Sequence, residues 1–424
     1  MSLFNITWRK YGLRDNPYFL HPLAIQENMP FSSFIGRKDE IERLIGMINM
    51  GVGRFLIVGD AGVGKTTLLN YVRSKASEGR FFTPQEEIEL NCSMSGQQFI
   101  IETLSTVYRE INRQNIILSQ NSMTSLENLN SLSKLSGGNI DEDVFEKMSY
   151  ERLKTLFKSV MSEIAHPRFK GIILHYDNLD NIKNRDEIKY LMGQIRDLFL
   201  IPNVIFFFVG GKFLPEDIGY ERRVRQTFHM PPLEVPELSF EDAKKILEER
   251  INFLRLNEEI NPQKPHTDEA LKILFNLHSG NLRDTLNSLY ACVMELGKSN
   301  IPIQLDEVIM RRILTEKVEK EFLSGLTQVE RELLQIMLDY KRPITPTELS
   351  KLSKKANTNV TSKYLPKLKE KSAIEFIGKD GRNTYYKVAP EIMWLKLKKD
   401  DNKYIEEKKD KEIKEIESKL SDFT

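Results

Sequence analysis

The sequence predicts an α/β fold: a parallel sheet built around a phosphate-binding loop (a P-loop), then an all-helical lid, then a winged helix-turn-helix. Three observations carry this. Gly59-Asp60-Ala61-Gly62-Val63-Gly64-Lys65-Thr66-Thr67 follows the apolar run Phe55–Val58 and leads into the helical run Leu68–Val72. That is strand, glycine-rich loop and helix at the G-x-x-x-x-G-K-[ST] spacing. Strand-like and helical stretches alternate as far as Met230, the pattern of a parallel sheet with crossover helices. Beyond Pro236 the strands stop, and the chain later offers three helices and a hairpin.

The elements follow in order. Residues up to about 33 are aromatic and punctuated by proline (Asn16-Pro17-Tyr18-Phe19, Met29-Pro30-Phe31) and read as an extended arm. Phe34–Leu44 is a tight turn into an amphipathic helix, with Ile41, Leu44, Ile45 and Ile48 on one face. After the loop, Glu87–Cys92 reads as a strand and Phe99–Ile111 as a helix. Ser119–Asn139, rich in Ser, Asn and Gly, reads as a mobile insertion. Helix resumes over Tyr150–Ile164. Ile172–Tyr176 is a buried strand ending in Asp177-Asn178-Leu179-Asp180, Val204–Val209 is another, and Thr227–Met230 is a short last one. Ser239 and Asp242 resemble a capping box before the stripe Ala243, Ile246, Leu247, Ile251, Leu254. A helical pair spans Thr267–Gly297, broken at Gly280.

Thr327–Tyr340, Thr345–Lys354 and Asn359–Lys371 are the three late helices, the last carrying a kinking Pro366. Glu375–Ile377 and Thr384–Val388 flank an Asp-Gly turn, a hairpin signal. From Lys396 on, Lys alternates with Glu and Asp. The expected domains are an arm (1–33), a base domain (34–235), a helical lid (236–318), a winged-helix domain (319–395) and a charged tail (396–424).

Bulk numbers bound the function. A chain of 424 residues exceeds one ordinary core. Formal net charge is +1, so attraction to a polyanion must come from local charge. Cys92 and Cys292 form no C-x-x-C pair, and the six histidines show no metal-ligand spacing. His175, His229 and His278 sit in apolar surroundings and read as core or edge residues. No apolar run spans a bilayer and the N-terminus lacks a signal-peptide stretch, so the expected location is cytoplasmic, with no membrane partner.

The loop carries the clearest chemistry. Gly59, Gly62 and Gly64 let successive N–H groups converge on one anion, and the helix that follows adds its positive dipole end. Asp60, Ala61, Val63 and Thr67 complete the cradle. Lys65 can reach the β- and γ-phosphates, and the Thr66 hydroxyl can ligate Mg²⁺. ATP and Mg²⁺ are the expected cofactors.

From Phe34 to Val388 the order of parts resembles AAA+ ATPases, and in particular the archaeal replication-initiator (origin-recognition/cell-division-control) group. The resemblance rests on Gly36-Arg37-x-x-Glu40-Ile41-x-x-Leu44, the phosphate loop, Leu90-Asn91-Cys92, the acidic strand end at Asp177, Gly280-Asn281-Leu282-Arg283 and the winged helix. It implies that Asp177 organises Mg²⁺ and that Arg283 reports the γ-phosphate from the lid. Asn281 would cap the helix that carries Arg283. Arg222, Arg223 and Arg225 lie where relatives place an arginine finger, or form a plain basic surface.

Two positions depart from the family. Relatives place Glu after the strand-end Asp; here it is Asn178, which can hold a water but cannot accept its proton. The polar sensor after Val204–Val209 is replaced by Gly210-Gly211, with Lys212 beyond. Hydrolysis is therefore expected to be slow, or to use Asp180.

Between Lys341 and Lys399, Lys351, Lys354, Lys355, Lys363, Lys367, Lys371, Lys379, Arg382 and Lys387 face few acids. Thr358, Asn359 and Ser362 could reach base edges of duplex DNA, Lys363 and Lys367 phosphates or groove edges, and Arg382 at the wing tip the minor groove. The leading expectation is an ATP-governed DNA-binding switch of the replication-initiator kind. Asp-Asn-Leu-Asp also resembles the STAND and KAP signalling ATPases, which would act on a protein partner. The Asn-Pro-Tyr-Phe arm suggests a transposition helper ATPase. Self-association is a further expectation.

Overall fold

The computed structural model of the chain describes residues 6–19, 35–90, 94–135, 149–165, 168–179, 185–212, 214–215, 225–226, 228–297, 302–340, 342–380 and 383–397. They fall into two compact units, His21–Glu237 on one side and Met1–Leu20 with Leu238–Thr424 on the other.

The first unit is a parallel sheet covered on both faces. In chain order its described elements are α2 (Lys38–Asn49, after α1 in the arm at Ile6–Arg9), β1 (Gly53–Val58), α3 (Lys65–Glu78), β2 (Phe81–Phe82), β3 (Ile88–Glu89), α4 (Gly96–Arg113), α5 (Gln120–Leu135), α6 (Tyr150–Ala165), β4 (Gly171–Asp177), α7 (Arg185–Ile195), β5 (Val204–Gly210) and β6 (His229–Glu234). The strand order is β2-β4-β5-β1-β6, with β3 also on β4, and every pairing is parallel. Strands β4 and β5 are buried along their whole length, which is why both read as unbroken apolar runs. Alternate residues serve opposite faces. Phe55, Ile57, Ile173, Ile205 and Phe207 pack with α2 and α3, while Leu56, Leu174, Tyr176, Phe206 and Phe208 pack with α4 and α6.

Several sequence expectations change here. Residues 120–135 are not a mobile insertion but helix α5, whose Leu126 and Leu129 are fully buried. Composition hid a Leu pair three residues apart, and Glu163 anchors the helix start by accepting from the Ser119 N–H and hydroxyl. Residues 136–139 lie outside the described residues. The strand expected at Glu87–Cys92 is described only as β3, and Phe81–Phe82 supplies a second short strand on the same edge of β4. The last strand is not Thr227–Met230 but β6, which runs on through Pro231 and Pro232. Its outer edge needs no ladder donors, and a register shift between Phe55↔His229 and Ile57↔Leu233 takes both prolines out of the pairing with β1. On α2, Ile41, Leu44 and Ile48 are buried, but Ile45 is exposed.

The second unit has one continuous core holding the arm, the lid helices and the winged helix. The arm buries Trp8, Tyr11, Leu13 and Tyr18 there; Tyr11 donates its hydroxyl to Ile303 O at 2.7 Å, and Tyr18 pairs with His266 Nδ1 at 2.6 Å. Helices α8 (Phe240–Phe253), α9 (Asp268–Leu277), α10 (Leu282–Leu296) and α11 (Glu307–Val318) start at Ser239, Thr267, Asn281 and Asp306, each of whose side chains accepts a first-turn N–H. The late segment follows as α12 (Gln328–Tyr340), α13 (Pro346–Ser353), α14 (Asn357–Asn359), a π turn at Val360–Tyr364, and α15 (Leu365–Glu370). Strands β7 (Ile374–Asp380) and β8 (Asn383–Val388) then pair antiparallel. Pro366 does not break the third helix. It has no N–H to offer and in an α turn its ring would crowd the Ser362 carbonyl, and the wider π turn just ahead of it lets the helix continue. Trp394 Nε1 donates to Ser288 Oγ at 2.9 Å, fastening the end of the winged helix into α10.

Candidate functional site

The loop between β1 and α3 is shaped by its glycines. A Cβ on Gly59 would lie 2.6 Å from Val235 O, so no side chain fits there. Gly64 holds φ at +93° as the cap of α3 and brings no side-chain acceptor to the first turn of the helix. Lys65 Nζ donates to Gly59 O and Asp60 O, both at 2.9 Å. Arg37, buried, donates through Nη2 to Val63 O at 2.9 Å and braces the loop from the start of α2.

The strand end meets the loop at a carboxylate. Thr66 Oγ1 donates to Asp177 Oδ2 at 2.6 Å, and the Asn178 N–H donates to Asp177 Oδ1 at 2.7 Å. Burial pushes the Asp177 carboxyl up, and these two hydrogen bonds only partly offset it. Asn178 is exposed and holds φ at +61°, a left-handed conformation that Asn tolerates better than most residues.

Behind Asp177 lies a buried polar network. Arg73 of α3 donates from Nε to Thr83 Oγ1 at 3.0 Å, from Nη1 to Asn70 Oδ1 at 2.7 Å and to His175 Nδ1 at 2.8 Å, and from Nη2 to Pro84 O and Glu86 O. Burial lowers the Arg73 pKa to about 10, which leaves it charged at neutral pH. Burial, then the neighbouring Arg73, hold His175 well below the usual imidazole range, so it is neutral. Asn70 Nδ2 donates to Glu87 Oε1 at 2.5 Å, tying the network to the residue before β3.

Thus the nine loop residues, Gly59 through Thr67, and Asp177 come together in one place. Asp180, Arg222 and Arg223 lie outside the described residues, and Arg225 is exposed. Gly210 ends β5, and Lys212 pairs with Glu234 at 3.5 Å. Arg283 is the second residue of α10, in the other unit, with Asn281 as cap accepting from the Asp284 N–H at 3.2 Å. Arg37 belongs to the Gly36–Leu44 motif, but its bracing of the loop is not readable from it. Arg73 and His175 belong to no motif, and their signals in the sequence are a polar residue inside the apolar run Ile172–Tyr176 and an Arg four residues after Leu69. Among the described residues no group of three or more His, Cys, Asp or Glu side chains could hold a metal by itself.

On the winged helix, Asn359, Ser362 and Lys363 are exposed. Ser362 Oγ donates to Thr358 O at 2.6 Å, and the Lys363 ammonium lies 5.5 Å from the Tyr364 ring centre. Lys367 is engaged otherwise than as a solvent-facing cation. Its Nζ is 3.1 Å from Oε2 of Glu330, a carboxylate only 2% exposed, which also accepts from the Thr327 N–H at the start of α12. Lys387 pairs with Glu375 across the hairpin at 3.1 Å. Lys379 pairs in register with Thr384, and Arg382 lies outside the described residues.

Residues 33–199 match the family model of the AAA ATPase domain, so this stretch carries such a domain, and ATP binding and an ATPase activity are what that domain implies. No match was found among curated proteins. Among solved structures, the chain is similar to the ORC2 protein of Aeropyrum pernix in its ADPNP-ADP complexes, at 15% identity over 93% of this chain and 99% of that one, with a TM-score of 0.48. It is similar to Cdc6p from Pyrobaculum aerophilum at 15% identity over 92% and 99%, TM-score 0.46. For the ORC1 protein of Aeropyrum pernix in complex with DNA the values are 15%, 91% and 97%, TM-score 0.45. At that identity and score these likenesses carry no inference about function.

Proposed function

We propose that this protein is a replication-initiator-like switch, which binds Mg²⁺–ATP at the Gly59–Thr67 loop, hydrolyses it slowly and binds duplex DNA through its winged helix. The observation that carries the nucleotide half is the 2.6 Å contact between Thr66 Oγ1 and Asp177 Oδ2, which joins the loop to the strand-end acid. These are hard oxygen donors, and Mg²⁺ takes one or two protein oxygens together with substrate phosphates rather than an all-protein cage. Thr66 would hold the ion and Asp177 would orient its water shell. Bound Mg²⁺ would neutralise charge on the phosphate oxygens. Lys65 would exchange its two carbonyl acceptors for phosphate oxygens. Asn178 can position a water without taking its proton, which supports slow turnover.

For the DNA half, every residue from Ala356 to Lys363 except Val360 is exposed, giving a polar and basic helix face of the kind that enters a major groove. Lys363 is the cation on that face, whereas Lys367 would have to leave Glu330 to reach a phosphate. Arg283 and the winged helix belong to one unit, fastened by the Trp394–Ser288 hydrogen bond, so a contact made by Arg283 can be transmitted to the wing. The direct test of the nucleotide half is Lys65→Ala. ATP at about 100 times its Kd should stabilise the native protein by about 2.7 kcal/mol, seen as a rise in Tm. The variant should show no rise, and an unchanged ATP shift would refute the assignment.

A further inference from the structure

We propose that His175 is a positioning residue for Asp177, presenting an Nε2–H to the carboxylate that organises Mg²⁺, with Arg73 as the group that fixes this tautomer. The inference rests on the nucleotide reading above and adds a residue to it. Arg has five N–H groups and no acceptor, and here all five have partners: Thr83 Oγ1, Asn70 Oδ1, His175 Nδ1, Pro84 O and Glu86 O. Nδ1 of His175 must therefore be the lone-pair nitrogen, because the guanidinium can only donate to it. The ring proton then sits on Nε2.

Nε2 is fully buried and has no hydrogen-bond partner, an uncommon condition for a polar atom in a core. The acceptor it faces is Asp177 Oδ2, 3.7 Å away. Closing that gap to an ordinary N–H···O bond requires a shift of about 0.8 Å. Oδ2 already accepts from Thr66 and has a second lone pair for the imidazole. A core histidine serving only to satisfy Arg73 would have no need to aim its other nitrogen at the strand-end acid. Groups behind a metal-organising carboxylate fix its orientation, and their loss commonly weakens metal binding by about 10–100-fold.

The test uses the full-length protein, with the effect of Mg²⁺ on ADP binding as the readout. Tm is measured with ADP in EDTA and then with ADP across an Mg²⁺ titration, for the native protein, His175→Phe and His175→Gln. Gln keeps an N–H donor at a comparable reach; Phe does not. The Mg²⁺ midpoint should move up about tenfold or more in His175→Phe and stay within about threefold of native in His175→Gln. The Tm rise with ADP in EDTA should be the same in all three. A purely structural role would lower Tm without moving the Mg²⁺ midpoint, so an unmoved midpoint in a folded His175→Phe overturns the proposal.

Should that variant not fold, ¹⁵N-histidine spectra of the native protein decide. An Nε2–H tautomer whose proton resonance moves when Mg²⁺ joins ADP supports the proposal. An Nδ1–H tautomer, or a resonance indifferent to Mg²⁺, overturns it. A native protein that ignores ADP altogether removes the nucleotide reading, and this inference with it.

Discussion

Replacing Asn178 by Glu tests the proposal that turnover is limited by an amide where a carboxylate could act as general base. Two magnitudes compete. A general base is typically worth about 10²–10⁴-fold in rate. Against it stands the backbone. Asn178 sits at φ +61°, and holding a residue other than Gly, Asn or Asp there costs roughly 1–2 kcal/mol. If that strain displaces the loop from its working geometry, it removes about tenfold or somewhat more. The net expectation for Asn178→Glu is an acceleration of about 10–1000-fold. Asn178→Gly is the control, because it accepts the same φ and adds no base, so it should leave turnover near native. The assay is single-turnover phosphate release with Mg²⁺–ATP. Asp177→Ala should abolish release, since it removes the acceptor of both the Thr66 and the Asn178 hydrogen bonds. Fast turnover in the native protein, unchanged in Asn178→Glu and lost in Asp180→Ala, would show that Asp180 is the base and that Asn178 does not limit the rate.

Two other predictions concern the second unit. Lys363→Ala should leave Tm unchanged and reduce the salt dependence of duplex binding by about one unit of slope. Lys367→Ala should instead destabilise by about 1 kcal/mol, a figure discounted for the partly exposed ammonium, because the buried Glu330 loses its cation. Equal effects of the two substitutions would contradict the assignment. Stability should also fall on acidification. Burial and then Lys264 hold the His266 pKa down to about 3, and burial holds that of His278 down to about 4. Below the unfolded value near 6.5 the unfolded chain binds protons that the fold excludes. Stability is therefore lost as pH drops from about 6.5 towards those values, by up to about 1.4 kcal/mol per pH unit for each group. Tm measured from pH 7 to 5 should show this slope, and His266→Gln should flatten it; a slope unchanged in that variant would remove His266 from the account.

Much of this was legible in the residues. The loop, the strand end at Asp177, the Asn281 cap and the capping of α8 by Ser239 are local signals, in which residue type and spacing alone state the chemistry. What escaped was set by partners distant in sequence. Helix α5 is polar in composition and holds its place through Leu126, Leu129 and a carboxylate on α6. Strand β6 keeps its two prolines because it lies at the sheet edge and slips its register beside β1 where they fall, which no local pattern reveals. Lys367 reads as one lysine among many until Glu330, 37 positions earlier in the chain, is seen to claim it. The Arg73–His175 pair joins α3 to β4, and neither residue belongs to a motif. Charge counts cannot separate cations already paired, such as Lys367 and Lys387, from those facing solvent, such as Lys363.

Whether nucleotide governs DNA binding is decided by titrating duplex DNA into the full-length protein with ATP, with ADP and without nucleotide, at several salt concentrations. A ligand shifts a conformational equilibrium only by its differential affinity for the two states, and typical couplings amount to about 5–150-fold. ATP and ADP should give duplex affinities differing within that range. Duplex should change ATP affinity reciprocally by the same factor, and Arg283→Ala should erase the difference while leaving the salt slope intact. Identical affinities with ATP, with ADP and with neither would contradict the claim, even if the winged helix still bound DNA.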